Sequence, residues 1–254
     1  MTPRVAIASA LFLIGMSLVG PAKAEGLLDI VARCVAQQAL GKPTSGCPMA
    51  NGNPTTGWAI VKDLRGLTQY LLVAAGKDLV GIETPALEQP AFADLWSGAW
   101  EGRRLVKSCA LARHEKEPGD ATISLAVNSK YCRSVPRVHI HIDLVDKSVF
   151  DQLATGATKI TSRTGHVFEA TVVDRLDNPF RWLAGQVAAS DGKLKPMDRQ
   201  TLVVVGRADG RFVILRDQTD AQCDAAPHTG DCACGEDLQI EHTKLGPEEA
   251  SVCP

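Results

Sequence analysis

The chain has 254 residues, 27 basic and 29 acidic side chains, and a formal charge of −2. That balance excludes a nucleic-acid binder, which needs a basic stripe. The length suits one large domain or two small ones, and no segment beyond the first two dozen residues is apolar enough to span a membrane.

The first residues are MTPRVAIASALFLIGMSLVGPAKAEG. One arginine, an apolar run and Ala22-Lys23-Ala24 give the order of a secretory signal. Cleavage after Ala24 is expected, with residues 1–24 removed. The rival is an uncleaved N-terminal membrane anchor, because residues 5–20 are barely short of a membrane span. Either way the rest is exported. Cleavage removes Arg4 and Lys23 and no acid, leaving a charge of −4 on residues 25–254.

Next, GLLDIVARCVAQQALG has apolar residues at helical spacing and stops at Gly41. KPTSGCPMANGNPTTG is turn-rich and predicts a loop. WAIVKDL and QYLLVAA are short β-type runs, with Gly66 suited to a hairpin turn between them. An irregular stretch precedes AFADLWSGAWEGRRLVKSCALARH, a long helix in which Leu95, Trp96, Ala99 and Trp100 form an apolar stripe. ATISLAVNS and RVHIHIDLV predict strands, KSVFDQLATGA a helix, GHVFEATVV a strand and NPFRWLAGQVA a helix starting near Pro179. TLVVVGRADGRFVILRD is a hairpin turning at Asp209-Gly210. From residue 218 the chain is cysteine-rich, polar and loop-like, with a short helix near GEDLQI. Strands come in adjacent pairs and outnumber helices, which predicts an α+β fold: a mainly antiparallel sheet with helices on one face.

Eight cysteines follow the leader: Cys34, Cys47, Cys109, Cys132, Cys223, Cys232, Cys234 and Cys253. An even count in an exported chain favours disulfides, although connectivity is not readable from sequence. Cys34 with Cys47 is the first expectation and Cys109 with Cys132 a second. Cys232 and Cys234 are too close to pair with each other. A zinc knot of Cys223, His228, Cys232 and Cys234 fits no established spacing and ranks below disulfides.

The most informative stretch is SVPRVHIHIDLV, residues 134–145. Alternation on a strand sends Val138, Ile140, Ile142 and Leu144 to one face, the core, and Arg137, His139, His141 and Asp143 to the other. Same-face neighbours stand about 7 Å apart, so two imidazoles can frame one small anion or one metal. Three readings compete. The histidines decorate a solvated face; or they hold zinc with a third ligand such as His166 or Asp143; or one of them is a nucleophile acting on phosphorus. Neutral imidazole suits the last role near pH 7.

VHIHIDLV resembles the signature of the histidine-triad superfamily, in which histidines alternate with apolar residues on a strand. In the same order, the segments GWAIVKDLRGLTQYLLVAAGKDLVGIETPAL, WSGAWEGRR, ISLAVNSKYCRSVPRVHIHI, GHVFEA and PFRWLAGQV resemble the bacterial CDP-diacylglycerol pyrophosphatases, a branch of that superfamily. The resemblance covers roughly residues 55–215. It implies one HIT-like α+β domain over residues 25–254, with a cysteine-rich tail from about residue 218. The tail resembles the family poorly, apart from an echo in GEDLQIEH.

The resemblance implies a site residue by residue. His139 stands where the superfamily's attacking histidine stands, and His141 is the supporting one. Arg137 replaces the first histidine of the triad; it can hold a phosphate oxygen but cannot exchange a proton at pH 7. Ser134 and Asn128 match polar residues around the phosphate, Arg133 a basic position for the second phosphate, and His166 a position that touches substrate. Gln69 falls where many relatives have a further histidine. The ordinary uses of these residues are turn capping for Asn128 and a surface charge for Arg133; Lys62 and Asp63 make a surface ion pair, and Trp96 and Trp100 are helix core. The implied activity is hydrolysis of CDP-diacylglycerol to CMP and phosphatidate through a cytidylyl-histidine, with no metal, no cofactor and no protein partner. The implied address is periplasmic, at or anchored to the inner membrane. Alternatives are a hydrolase or transferase acting on soluble nucleotide diphosphates, a metal hydrolase, and a non-catalytic nucleotide-binding protein.

Overall fold

The computed structural model describes residues 21–42, 46–225, 232–240 and 252–253. Helix α1 (Pro21–Ala39) precedes strands β1 (Met49–Asn51), β2 (Trp58–Lys62) and β3 (Tyr70–Ala74). Two short 3-10 turns lead into α2 (Asp94–Ala112), followed by β4 (Ile123–Val127), β5 (His139–Leu144) and α3 (Lys147–Ala154). Then come β6 (Lys159–Thr161), β7 (Val167–Val173), α4 (Pro179–Ala188), β8 (Gln200–Gly206) and β9 (Phe212–Gln218). The strands form one sheet in the order β1-β2-β3-β5-β4-β8-β9-β7-β6, antiparallel at every pairing. The α+β class expected from sequence is the class observed. Of the expected leader, residues 1–20 lie outside the described residues, and no described helix is long and apolar enough to cross a membrane.

The elements follow local chemistry. Gly66 takes the left-handed backbone, φ +75°, that the β2–β3 turn requires. Asp146 caps α3 by accepting from the Ser148 N–H at 2.8 Å. Asn178 caps α4, accepting from the N–H groups of Phe180 and Arg181, with Pro179 in the first turn. Two strands escaped the sequence reading. β1 lies inside the turn-rich segment and β6 is three residues long, so neither has enough alternation to register.

Helices lie on both faces of the sheet, not on one as expected. On the first face α2 and α4 cover a cluster that includes Ile60, Leu72, Ile140, Ile142, Leu125 and Val204. Each such side chain, fully buried, is worth about 1.5–3 kcal/mol. Gly102 lets α2 come close: a Cβ there would stand 2.6 and 2.7 Å from the end carbons of Ile60 and Ile142. Trp96 is fully buried in this layer against Phe180, ring centroids 5.1 Å apart, so the tryptophan stripe is core.

The second face is covered in pieces. α1 packs Val31 and Val35 on Ala59, Val61 and Val73 at one end. At the other end α3 and the β6–β7 hairpin pack Val149, Ile160 and Phe168 on Val203, Val205 and Leu215. Residues 232–240 lie between, and the gap beside them is where the strand histidines emerge.

All eight cysteines are in disulfides. Cys34–Cys47 ties α1 to the segment before β1, as expected. Cys109–Cys132 does not form: Cys109 pairs with Cys253 and Cys132 with Cys234. Cys109 lies in the last turns of α2, with its sulfur turned toward the β2–β3 turn and Cys253, while Cys132 faces the tail. Cys223 pairs with Cys232, so the cysteines of the suggested zinc knot are bonded to sulfur instead. His228 lies outside the described residues.

Candidate active site

Alternation puts His139 and His141 on the second face, opposite the buried Ile140 and Ile142. Register fixes their neighbours: His139 lies across from Val73, and His141 sits between Leu71 and Ala126. The two rings stand edge to face, 4.7 Å between centroids. They form the floor of a cleft of about 460 Å³ whose walls include Asp63, Arg65, Ser134, Arg163, Glu236 and Asp237.

The tautomer of His139 follows from one contact. Its Nδ1 lies 2.7 Å from the Arg137 carbonyl oxygen, which can only accept, so Nδ1 carries the proton and donates it. When the ring is neutral, Nε2 therefore keeps a lone pair. Burial, with the nearby charge of His141, pushes the imidazole pKa down to about 4, against smaller upward pulls from the Arg137 carbonyl, Glu236 and Asp63. At neutral pH His139 is an uncharged base with its tautomer set by the backbone.

His141 is held by side chains. With the Gln69 amide oriented to satisfy both its atoms, its oxygen accepts from His141 Nδ1 at 3.1 Å. Its nitrogen then donates to Asp63 Oδ2 at 2.8 Å and to the Arg65 carbonyl at 3.0 Å. Glu236 Oε1 is a second acceptor near Nδ1, at 3.3 Å. Glu236 is itself fixed, because Oε2 accepts from Asn128 Nδ2 at 2.8 Å and Asn128 Oδ1 accepts from the Gly235 N–H at 2.8 Å. The Cys132–Cys234 disulfide anchors this segment one residue earlier. Burial raises the carboxyl pKa values of Asp63 and Asp237, and the charge of Glu236 adds to both.

The expected phosphate ligands divide. Ser134 is exposed in the cleft wall, and Asn128 lines the cleft while holding the Glu236 loop. Arg137 precedes the strand, in a tight turn where its N–H donates to the Val135 carbonyl at 2.8 Å. Its guanidinium donates to the Gly76 carbonyl at 2.5 Å and is not among the cleft-lining groups. Arg133 is engaged by Glu83 through two bonds of 2.6 Å and is also outside the lining. His166 sits at the turn before β7 with Nδ1 3.7 Å from Asp217, again outside the lining. The arginines that do line the cleft are Arg65, on the β2–β3 turn, and Arg163, on the β6–β7 turn, with Arg163 Nη2 3.7 Å from Asp237. Lys62 does not pair with Asp63 at the surface; its ammonium donates to the carbonyls of Asp63, Gly66 and Gln69.

Sequence reasoning missed Glu236, Asp237, Arg65 and Arg163. The signal for Glu236 was GEDLQI, the one family-like fragment of the tail. For a metal, Asp143 was a suggested third ligand, but its carboxylate accepts from the Thr68 hydroxyl at 2.5 Å. Among the described residues no three His, Cys, Asp or Glu side chains are grouped to hold a metal ion.

The cleft can set a neutral imidazole against an electrophile, with two arginines for anionic oxygens and a carboxylate behind the second imidazole. A family model, CDP-diacylglycerol pyrophosphatase, matches residues 22–239, most of the chain.

Proposed function

The chain belongs to the CDP-diacylglycerol pyrophosphatase family, a family of hydrolases acting on a pyrophosphate bond, and from that premise we propose that His139 is the nucleophile and cytidylyl-histidine the intermediate. The observation that carries this reading is the 2.7 Å bond from His139 Nδ1–H to the Arg137 carbonyl, which leaves the Nε2 lone pair for phosphorus.

In the first step Nε2 bonds to the cytidylyl phosphorus as the bond to the bridging oxygen breaks. Phosphatidate leaves with that oxygen and its electron pair. A phosphate monoester is a good leaving group, so positioning and charge stabilisation are the protein's main tasks. Arg65, Arg163 and Ser134 meet the phosphate oxygens. Through Nε2, when that atom carries a proton, His141 donates to a non-bridging oxygen, with Glu236 on its Nδ1 side. In the second step water attacks the phosphorus, Nε2 departs with its electron pair, the Glu236 carboxylate takes the proton and CMP is released.

Four disulfides suit an oxidising compartment outside the cytoplasm. With the leader-like N-terminus this supports a periplasmic enzyme working at the inner membrane, its residues from 25 onward forming one catalytic unit. The test is incubation of purified protein with CDP-diacylglycerol or a soluble nucleotide diphosphate, with and without chelator. CMP from the lipid, unaffected by chelator and lost in His139→Ala, supports the reading. Full turnover in His139→Ala, or chelator-sensitive turnover, contradicts it.

A further inference from the structure

We propose that the β2–β3 turn, residues 63–69, is a membrane-docking element that seats the cleft on a lipid bilayer. The inference rests on the lipid-substrate reading above and adds the surface through which the bilayer is met. Leu64 is 60% exposed and Leu67 37%, with an exposed Arg65 between them. Val252, 45% exposed, is next in sequence to Cys253, whose sulfur lies 3.3 Å from the Leu67 carbonyl oxygen.

Four observations favour a bilayer over any other occupant. The turn is part of the cleft: Asp63 and Arg65 line the cleft while Leu64 projects outward from between them. Several of its backbone groups are already satisfied from within, which lowers the cost of leaving water. Lys62 Nζ donates to the carbonyls of Asp63, Gly66 and Gln69, Asp63 Oδ1 accepts from the Arg65 N–H, and the Gln69 amide donates to the Arg65 carbonyl. A cation flanked by two leucines matches an anionic lipid surface, with the apolar groups in the acyl boundary and the guanidinium among headgroups. Finally, α1 brings Leu27 to the same cleft about 9 Å from its own start, so in the uncleaved form the apolar run of residues 5–20 leads into the chain beside the cleft. Chain entry, apolar turn and cleft mouth thus lie together. Diacylglycerol tails can stay in the bilayer while the pyrophosphate reaches His139.

The test uses the full chain and vesicles of phosphatidylcholine with phosphatidylglycerol. A Leu64→Trp variant should gain an emission component that shifts to shorter wavelength on vesicles and is quenched by brominated phospholipid. No quenching overturns the proposal, as does a shift that depends on protein concentration without vesicles, which marks a protein–protein face. In a Leu64→Ser, Leu67→Ser double variant, turnover of vesicle-borne CDP-diacylglycerol should fall at least about tenfold through lost apolar burial. Turnover of a water-soluble short-chain CDP-diacylglycerol should stay within about twofold. An equal fall on both substrates, or none on either, overturns it. Failure of the His139 chemistry looks different: neither substrate turns over even though the added emission of the Leu64→Trp variant is quenched.

Discussion

The histidine strand and the tail segment 232–240 meet at His141, yet they are held by different means. β5 is a central strand, paired with β3 on one side and β4 on the other, and its position is enforced by core packing beneath it. The tail segment has no strand of its own. It is fixed by the Cys132–Cys234 disulfide, by Asn128, by the Thr201 hydroxyl on the Ala233 carbonyl, and by backbone bonds from Asp146 to Leu238 and from Ile240 to Leu144. The floor of the site is therefore part of the central sheet and its core, while Glu236 in the cleft wall depends on a few specific links. The nucleophile should tolerate perturbations that displace Glu236.

The largest expected effect bears on those links. A Cys132→Ser, Cys234→Ser double variant removes a link across 102 positions that the Cys109–Cys253 disulfide still encloses, which should cost about 3–4 kcal/mol in a denaturant titration. At a denaturant concentration that leaves the variant folded, turnover should still be depressed because Glu236 is no longer placed. Full activity in the folded variant would remove the distinction between floor and tail.

Acid stability probes the floor. The His139 pKa is about 4 in the folded chain, below the roughly 6.5 of an unfolded histidine. Between these values the unfolded chain binds a proton that the native chain does not, so stability is complete above about pH 6.5 and falls as pH drops toward 4. The full difference is on the order of 3 kcal/mol. His139→Gln should lack that component, measured as the difference between wild-type and variant stability at pH 7.5 and pH 4.5. The same depression keeps the nucleophile uncharged, so the acid limb of kcat/KM assigned to His139 should lie well below pH 6.5.

Glu236→Gln keeps the shape and removes the charge opposite His141. It should lower kcat by about 10²-fold, the low end of general acid–base effects, with a much smaller change in KM. A change confined to KM would assign Glu236 to binding alone.

The smallest effect separates the two pairs of arginines. Arg163→Ala should lower kcat/KM by about tenfold, one charge-assisted contact's worth. Arg133→Ala should leave kcat/KM nearly intact and lower stability by about 1–3 kcal/mol, since Glu83 loses its partner in a partly buried pair. The reverse ranking would return the phosphate-binding role to Arg133.

The same contrast explains what was legible in the sequence. Period-two alternation is local, so the buried face of Ile140 and Ile142, the placement of His139 and His141 on the opposite face, and both hairpins could be read directly. Alternation stops where the strand stops. Arg137 sits before β5 in a tight turn, and extending the strand pattern to it put its guanidinium in the wrong place. Arg133 is occupied by Glu83, 50 positions away, and Cys132 reaches Cys234 over 102 positions. No local pattern encodes such partners. Helices on both faces had the same cause: α1 is amphipathic in sequence, but which face of the sheet it covers is set by tertiary packing.

The central claim is a covalent bond between His139 and phosphorus. The most direct test is to quench the full-chain enzyme during turnover of CDP-diacylglycerol labelled in the cytidylyl phosphate, then map the protein-bound label by mass spectrometry. A cytidylyl group on His139 Nε2, formed and lost at rates compatible with turnover and absent in His139→Ala, is the predicted result. Turnover with no adduct, or an adduct on any other residue, would contradict the account.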